Sequence, residues 1–213
     1  MERLRKESRR DSPEHAALER ARAALEDDRP LRTADVPESD RRLLRAYSLH
    51  TLRPLMVVSN RGDEPAAEET ELREMCEERG AALLPIDAAF ELELTELPEE
   101  EHGEFLESMG YRASGLDRLI SAAYGTLDLV TFFTIGEDEV RAWPVKRGST
   151  APQAAGAVHT DMQRGFIRAK VIPFETYREC PDEAELRSRG EVRLEGKDYV
   201  VREGDILEIR FSV

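Results

Sequence analysis

The run Pro54-Leu-Met-Val-Val-Ser59, ending at Asn60, constrains the fold more than any other stretch of the chain. Consecutive apolar residues without polar alternation are the pattern of a strand buried on both faces of a parallel sheet. The spacing next predicts a helix with Leu72, Met75 and Cys76 on one face and Gly80 as its stop. Ala81 to Ile86 reads as a second apolar strand. After an acidic connection around Glu99-Glu100-Glu101, a further helix carries Leu116, Leu119, Ile120, Ala123 and Tyr124. Strand, helix, strand, helix makes two units of an α/β layer, but two parallel strands do not form a stable sheet alone. The sheet is therefore expected to be completed by a protein partner or by self-association, with Leu55 to Val58 as an interior strand.

Both flanks read differently. Before the run, Ser12 caps a helix opened by Pro13, with Leu18, Ala21 and Leu25 on one narrow stripe. A break at Arg29-Pro30 separates it from a second helix bearing Leu43, Leu44 and Tyr47, so residues 1–52 are expected to form a helical hairpin arm. Residues 53–128 form the α/β part. After Asp128 the alternation becomes β-like. Leu129 to Ile135 and Val140 to Val145 read as a hairpin about a Gly136-Glu-Asp-Glu139 turn, and Thr150 caps a helix through Val158. Gly165 to Ile172 is a third strand, a short hairpin about Glu195-Gly196-Lys197 leads into Tyr199 to Val201, and Ile206 to Phe211 is the last strand. Residues 129–213 are thus expected to form a compact α+β domain of ubiquitin-like β-grasp type. Its core candidates are Leu129, Val130, Phe132, Ile167, Val171, Ile206 and Phe211.

Charge limits the function classes. The 213 residues carry a net charge of −14, and residues 129–213, with 13 basic and 15 acidic residues, account for only −2 of it. Such a chain has no general nucleic-acid-coating surface. No apolar run approaches the ~18 residues of a membrane span, and the start Met-Glu-Arg-Leu-Arg-Lys lacks an apolar signal stretch. The expectation is a cytoplasmic protein without membrane contact. Cys76 and Cys180 are distant in sequence and outside any C-x-x-C, as reduced thiols are.

Most catalytic motifs are missing. A phosphate-cradling G-x-x-x-x-G-K-[ST] does not occur. Gly190 to Lys197 has one intervening residue too many and Asp198 where a hydroxyl is needed, and it reads as a hairpin turn. His15, His50, His102 and His159 are scattered without ligand spacing, so no metal site is expected. No nucleophile motif is present, so no catalytic residue is assigned. One constellation is chemically pointed: Ser59-Asn60-Arg61-Gly62-Asp63-Glu64, directly after the buried strand. As a polar turn it needs no function. As Asn-x-x-Asp it resembles the base-reading motif of GTPases, where a carboxylate accepts hydrogen bonds from guanine and the Asn ties neighbouring loops.

Longer motifs decide between these readings. Glu139-Val-Arg-Ala-Trp143, Thr150-Ala-Pro-Gln-Ala-Ala-Gly156, His159-Thr-Asp161, Arg164-Gly-Phe-Ile-Arg-Ala169 and Leu194-Glu-Gly-Lys-Asp-Tyr199, in that order, resemble the YchF/Obg-like ATPase family of ribosome-associated P-loop NTPases ending in a TGS domain. The resemblance covers the whole chain but only the family's second half, so the phosphate, magnesium and switch segments are expected to precede Met1. It implies a base site at Asn60 and Asp63, with Ala88 from the following loop, Pro85 to Ala89. Two departures stand out: Asp63 replaces the family's usual Glu, leaving ATP against GTP open, and Asp87 replaces a small residue. His159-Thr160 further resembles an RNA-contacting site of TGS domains, with Arg164, Arg168 and Lys170 as phosphate partners.

The resemblance implies a translation-associated module that contacts ribosome or RNA and does not hydrolyse NTP by itself. The alternative is the C-terminal half of a working NTPase. No cofactor is expected for this chain alone, and ATP or GTP with Mg is expected once the other half is supplied.

Overall fold

The computed structural model describes residues 12–61, 67–136 and 139–212. They fall into two units, Met1–Thr126 and Leu127–Val213.

In the first unit, α1 (Pro13–Glu26) begins where Ser12 Oγ accepts the His15 N–H at 3.1 Å and Pro13 supplies a preset helical φ. The expected stripe faces the core at Ala21 and in part at Leu18, but not at Leu25. Ala17, Ala21 and Ala24 are buried against Leu31, Val36 and Leu44, while Leu25 is exposed. Alanines let the neighbouring segment approach closely, and the leucines flank that contact. The second helix, α2 (Glu38–Leu44), is tied to α1 by Arg20, whose Nε and Nη2 each lie 2.6 Å from Asp40 Oδ2. Asp40 is buried, and the Arg20 guanidinium holds its carboxyl below the usual range.

β1 (Leu55–Asn60), α3 (Ala67–Glu78) and β2 (Ala81–Ile86) form a parallel strand–helix–strand unit, with Leu55 opposite Ala81 and Asn60 opposite Ile86. Gly80 ends the turn after α3 at φ +60, where a Cβ would lie 2.5 Å from Thr33 Cγ2. The expectation that β1 is buried on both faces is not met. Leu55 is 39% and Val58 47% exposed, because β2 is the only strand paired with β1 among the described residues. The acidic connection contains two unexpected helices, α4 (Ala88–Glu96) and α5 (His102–Ser108). Phe90 packs under Phe105 and Tyr111, with ring centroids 5.2 and 5.0 Å apart, which holds both helices despite their many carboxylates. The last helix, α6 (Gly115–Thr126), leaves Leu116 and Ile120 exposed.

The second unit is a mixed sheet of order β4-β3-β7-β5-β6. β3 (Leu129–Ile135) and β4 (Val140–Lys146) are antiparallel, β5 (Phe166–Pro173) is antiparallel to both β6 (Arg193–Glu195) and β7 (Asp205–Phe211), and β7 is parallel to β3. α7 (Ala151–Val158) covers one face, burying Ala151, Ala154 and Ala155 on Phe132, Val171 and Leu207. The opposite face buries Ile172 and Ile206 under α9 (Phe174–Glu179) and α10 (Glu183–Ser188), with Leu186 at its centre. These two helices, and α8 (Thr160–Arg164), were not evident in the sequence. Two strand readings change. Arg193–Glu195 pairs with Ala169–Val171 instead of with residues 199–201, and Val200 bridges Thr150. Among the core candidates, Ile167 is 55% and Phe211 39% exposed; Ile167 falls in the register irregularity between Phe166 and Arg168, which turns it outward.

Asp205 is a buried carboxylate with its partners in place: Tyr199 Oη donates to it at 2.7 Å and the Arg202 N–H at 2.8 Å. Burial and the neighbouring Asp205 push the Tyr199 phenol up to about 12.

Candidate functional site

The C-terminal ends of β1 and β2 lie side by side, and Asn60 stands at the end of β1 opposite Ile86. Its Oδ1 accepts the backbone N–H of Ala88 at 3.1 Å, so a side chain on one loop fixes the backbone of the next. Ala88 is the first residue of α4. Asp87 caps this helix, its Oδ1 accepting from Ala89 N–H at 3.0 Å and Phe90 N–H at 3.1 Å. The departure noted in the sequence at Asp87 thus has a local cause: its carboxylate satisfies two helix-end donors. Asp63 and Glu64 lie outside the described residues.

Neighbouring groups brace this corner. The Arg61 N–H donates to Ile86 O at 2.7 Å, and the Arg61 side chain pairs with Glu69. Arg118, from α6, donates to Pro85 O and lies over the Tyr111 ring at 5.5 Å. Glu91 Oε1 accepts the Gly115 N–H at 2.7 Å, and a Cβ on Gly115 would fall 2.6 Å from that carboxylate. Arg118, Glu91 and Gly115 position the loop from a distance in sequence, and no local motif marks them.

The Asn60 carbonyl oxygen is spent on Ala88, while its amide NH₂ donates to nothing among the described residues and remains able to bond a ring nitrogen. The N–H groups of Ala88, Ala89 and Phe90 are all engaged within the protein, so none of the three is a free donor for a ligand.

In the second unit, His159 and Arg164 come together on α8 around Asp161. His159 caps this short helix, its Nδ1 accepting the Asp161 N–H at 3.2 Å, and Arg164 Nη2 lies 3.1 Å from Asp161 Oδ1. That bond puts the proton of a neutral ring on Nε2, leaving an imidazole 62% exposed and oriented by the cap. Arg168 is elsewhere. It sits on β5 opposite Arg210, at the parity of Lys170 and away from the face that α7 covers. Lys170 is not free for phosphate: it is largely buried between Glu183, at 2.6 Å, and Glu208, and despite burial these carboxylates hold its pKa above the ordinary value. No group of metal-ligating side chains occurs among the described residues. Nor is any described helix long and apolar enough to cross a membrane.

At the level of fold this mixed α/β chain is like solved GTP-binding proteins. It superposes on the Schizosaccharomyces pombe YchF GTPase with TM-score 0.80 and 29% identity, covering 97% of this chain and 56% of that one. A GTP binding protein from Pyrococcus horikoshii OT3 shares the fold at TM-score 0.55 and 24% identity, over 84% of this chain and 54% of its own. In sequence, residues 129–212 match the YchF-GTPase_C family model, described as a protein of unknown function. Ribosome-binding ATPase YchF of Pasteurella multocida is 38% identical over 94% of this chain and 56% of its own length, and that of Bacillus subtilis is likewise 38% identical over the same shares. The chain belongs to the YchF family and spans about half the length of the curated relatives it matches.

Proposed function

We propose that this chain is a translation-associated, cytoplasmic module that reads a purine base at Asn60, Asp63 and Ala88 and contacts ribosome or RNA through its second unit, without hydrolysing NTP by itself. The observation that carries this reading is the Asn60 to Ala88 bond at the ends of two parallel strands, the place where open α/β sheets hold ligands. The relatives named ribosome-binding support the ribosomal partner. Residues 1–52 act as a helical arm, and residues 129–213 as a TGS domain of β-grasp type. In that domain the exposed His159 ring offers a stacking face, with Arg164 beside it and Arg168 on a different face of the sheet.

Hydrolysis by the isolated chain is not expected. Phosphoryl transfer depends on positioning phosphate and Mg, and the 213 residues contain no P-loop sequence. A carboxylate at Asp63 accepts from guanine N1–H and its amine but repels the adenine N1 lone pair, so guanine is the expected base. Calorimetry with GTP and ATP tests this: weak binding that prefers GTP and disappears in Asn60→Ala supports the reading, and tight ATP binding without GTP competition refutes it. Ribosome co-sedimentation reduced by His159→Ala, at unchanged melting temperature, supports the RNA contact; unchanged sedimentation leaves His159 as a helix cap only.

A second reading, half of an ATP- or GTP-hydrolysing YchF protein with Mg, draws on the edge of β1 that no strand pairs among the described residues. Adding the remaining segment of a relative in trans separates the two, since turnover appears only under the second.

A further inference from the structure

Two side chains close off three successive backbone donors at the start of α4. Asn60 Oδ1 takes the Ala88 N–H at 3.1 Å, and Asp87 Oδ1 takes both the Ala89 N–H at 3.0 Å and the Phe90 N–H at 3.1 Å. Each side chain commits one oxygen to the loop and keeps a second polar atom. In Asn60 that atom is the NH₂, a donor; in Asp87 it is Oδ2, an acceptor. Neither bonds anything else among the described residues. Because the two side chains grip adjacent peptide units, the free donor and the free acceptor belong to one corner at the ends of β1 and β2. Asp87 is half-buried while Ala88 and Ala89 are exposed, so the corner is open beside a cap that is held in place.

We propose that Asp87 is a specificity-determining residue of this corner, selecting an amine over an oxygen at position 6 of a purine. This role rests on the base reading proposed above and adds the residue and the atom of the base that it reads. The purine edge carrying N7 and the 6-substituent presents an acceptor and a donor in adenine, but two acceptors in guanine. The Asn60 NH₂ bonds N7 of either base. At position 6 the bases part: Asp87 Oδ2 accepts from an amine and repels an oxygen lone pair. The N–H groups of residues 88–90 are already engaged, so none of them compensates O6. An oxygen that gives up water and meets no donor is costly, which is how hydrogen-bonding sites reject a near-isostere. Asp63 is inferred to act at the other edge, on N1 and the 2-amine. The guanine preference expected from Asp63 is therefore opposed by Asp87 at position 6, and each common purine satisfies one carboxylate and not the other.

The test exchanges the free acceptor for a donor. Asp87→Asn keeps the shape and the capping oxygen, places an NH₂ where Oδ2 stood, and retains a residue type that caps as well as Asp. Asn60 is the single asparagine of the parent chain, so labelling the full chain with ¹⁵N-asparagine yields one side-chain amide pair that reports on the corner. Guanosine and adenosine 5′-monophosphates are titrated against parent and variant, with those resonances followed and dissociation constants taken from calorimetry. In Asp87→Asn the ratio of guanosine to adenosine nucleotide affinity should rise by about tenfold or more, the first nucleotide binding tighter and the second weaker, at a melting temperature close to the parent's. Asp87→Ser, which caps the helix but leaves no second polar atom, should move the ratio in the same direction by less, and covers the case in which the Asn variant fails to fold. Binding that shifts the Asn60 resonances with the same ratio in parent and both variants would overturn the role of Asp87 and leave the base reading standing. Resonances moved by neither nucleotide in any of the three proteins would overturn the base reading itself, and the role of Asp87 with it.

Discussion

Single side chains decide how the first unit is held, and two of them give measurable expectations. Asp87 caps α4, bonding two of its N–H groups. Asp87→Ala should lower stability by about 1 kcal/mol, the ordinary cost of removing such a cap, and Asp87→Ser should recover most of it. Denaturant titration of the full chain followed by circular dichroism checks this. Asp40 gives a pH dependence. Its carboxyl is held below its unfolded value by Arg20, so this stabilisation is fully present above the unfolded value of about 3.9 and is lost as pH falls through the lower folded value. Melting temperature should therefore drop on acidification from pH 5 to pH 2, and Asp40→Asn should flatten that acid limb. Arg20 is half-exposed, so salt should shrink the difference.

At the scale of elements, the start of β5 and the end of β7 are joined backbone to backbone. Ser212 N–H donates to Gly165 O at 2.9 Å, and a Cβ on Gly165 would stand 2.0 Å from Ser212 O. Backbone cannot rotate away as a flexible side chain can. Gly165→Ala should cost the second unit about 1 to 3 kcal/mol, the usual range for overpacking, and should speed exchange at the end of β7. A melting temperature equal to the parent's would show that the strands separate there at no cost. The cap of α7 is of the other, locally readable kind: the Thr150 N–H donates to Gln153 Oε1 at 2.8 Å, three residues on, as its sequence spacing announces.

Across the whole molecule, the two units have separate cores, one about Ala17, Leu31 and Leu44 and another about Phe132, Val171 and Leu207. Separate cores predict separate unfolding. The full chain should show two transitions, the second retained when Leu44→Ala lowers the first, because that substitution removes a fully buried leucine at a typical cost of about 2 to 5 kcal/mol. Calorimetry with and without the substitution distinguishes this from a single shared transition, in which both would move together.

The sequence by itself determined what is local or periodic. The ends of β2 at Ala81 and Ile86 and of α7 at Ala151 and Val158 follow from apolar runs and capping residues, and Asn60 stood out because turn-favouring residue types follow it directly after an apolar run. Only the tertiary structure decided what depends on partners distant in sequence. Ala17 and Ala24 join the expected Ala21 in the buried face of α1, and Leu25 is left exposed, because another segment approaches closely. α4 and α5 form in an acidic stretch because Phe90 finds Phe105 and Tyr111. Arg168 was expected with His159 and Arg164, but strand parity sends it to another face. Lys170 read as a free cation until the fold set two glutamates against it. Spacing along a chain reports periods of 2 and 3.6; it carries no record of which distant residues the fold brings within 3 Å, and those contacts fix the charge, exposure and direction of each functional side chain.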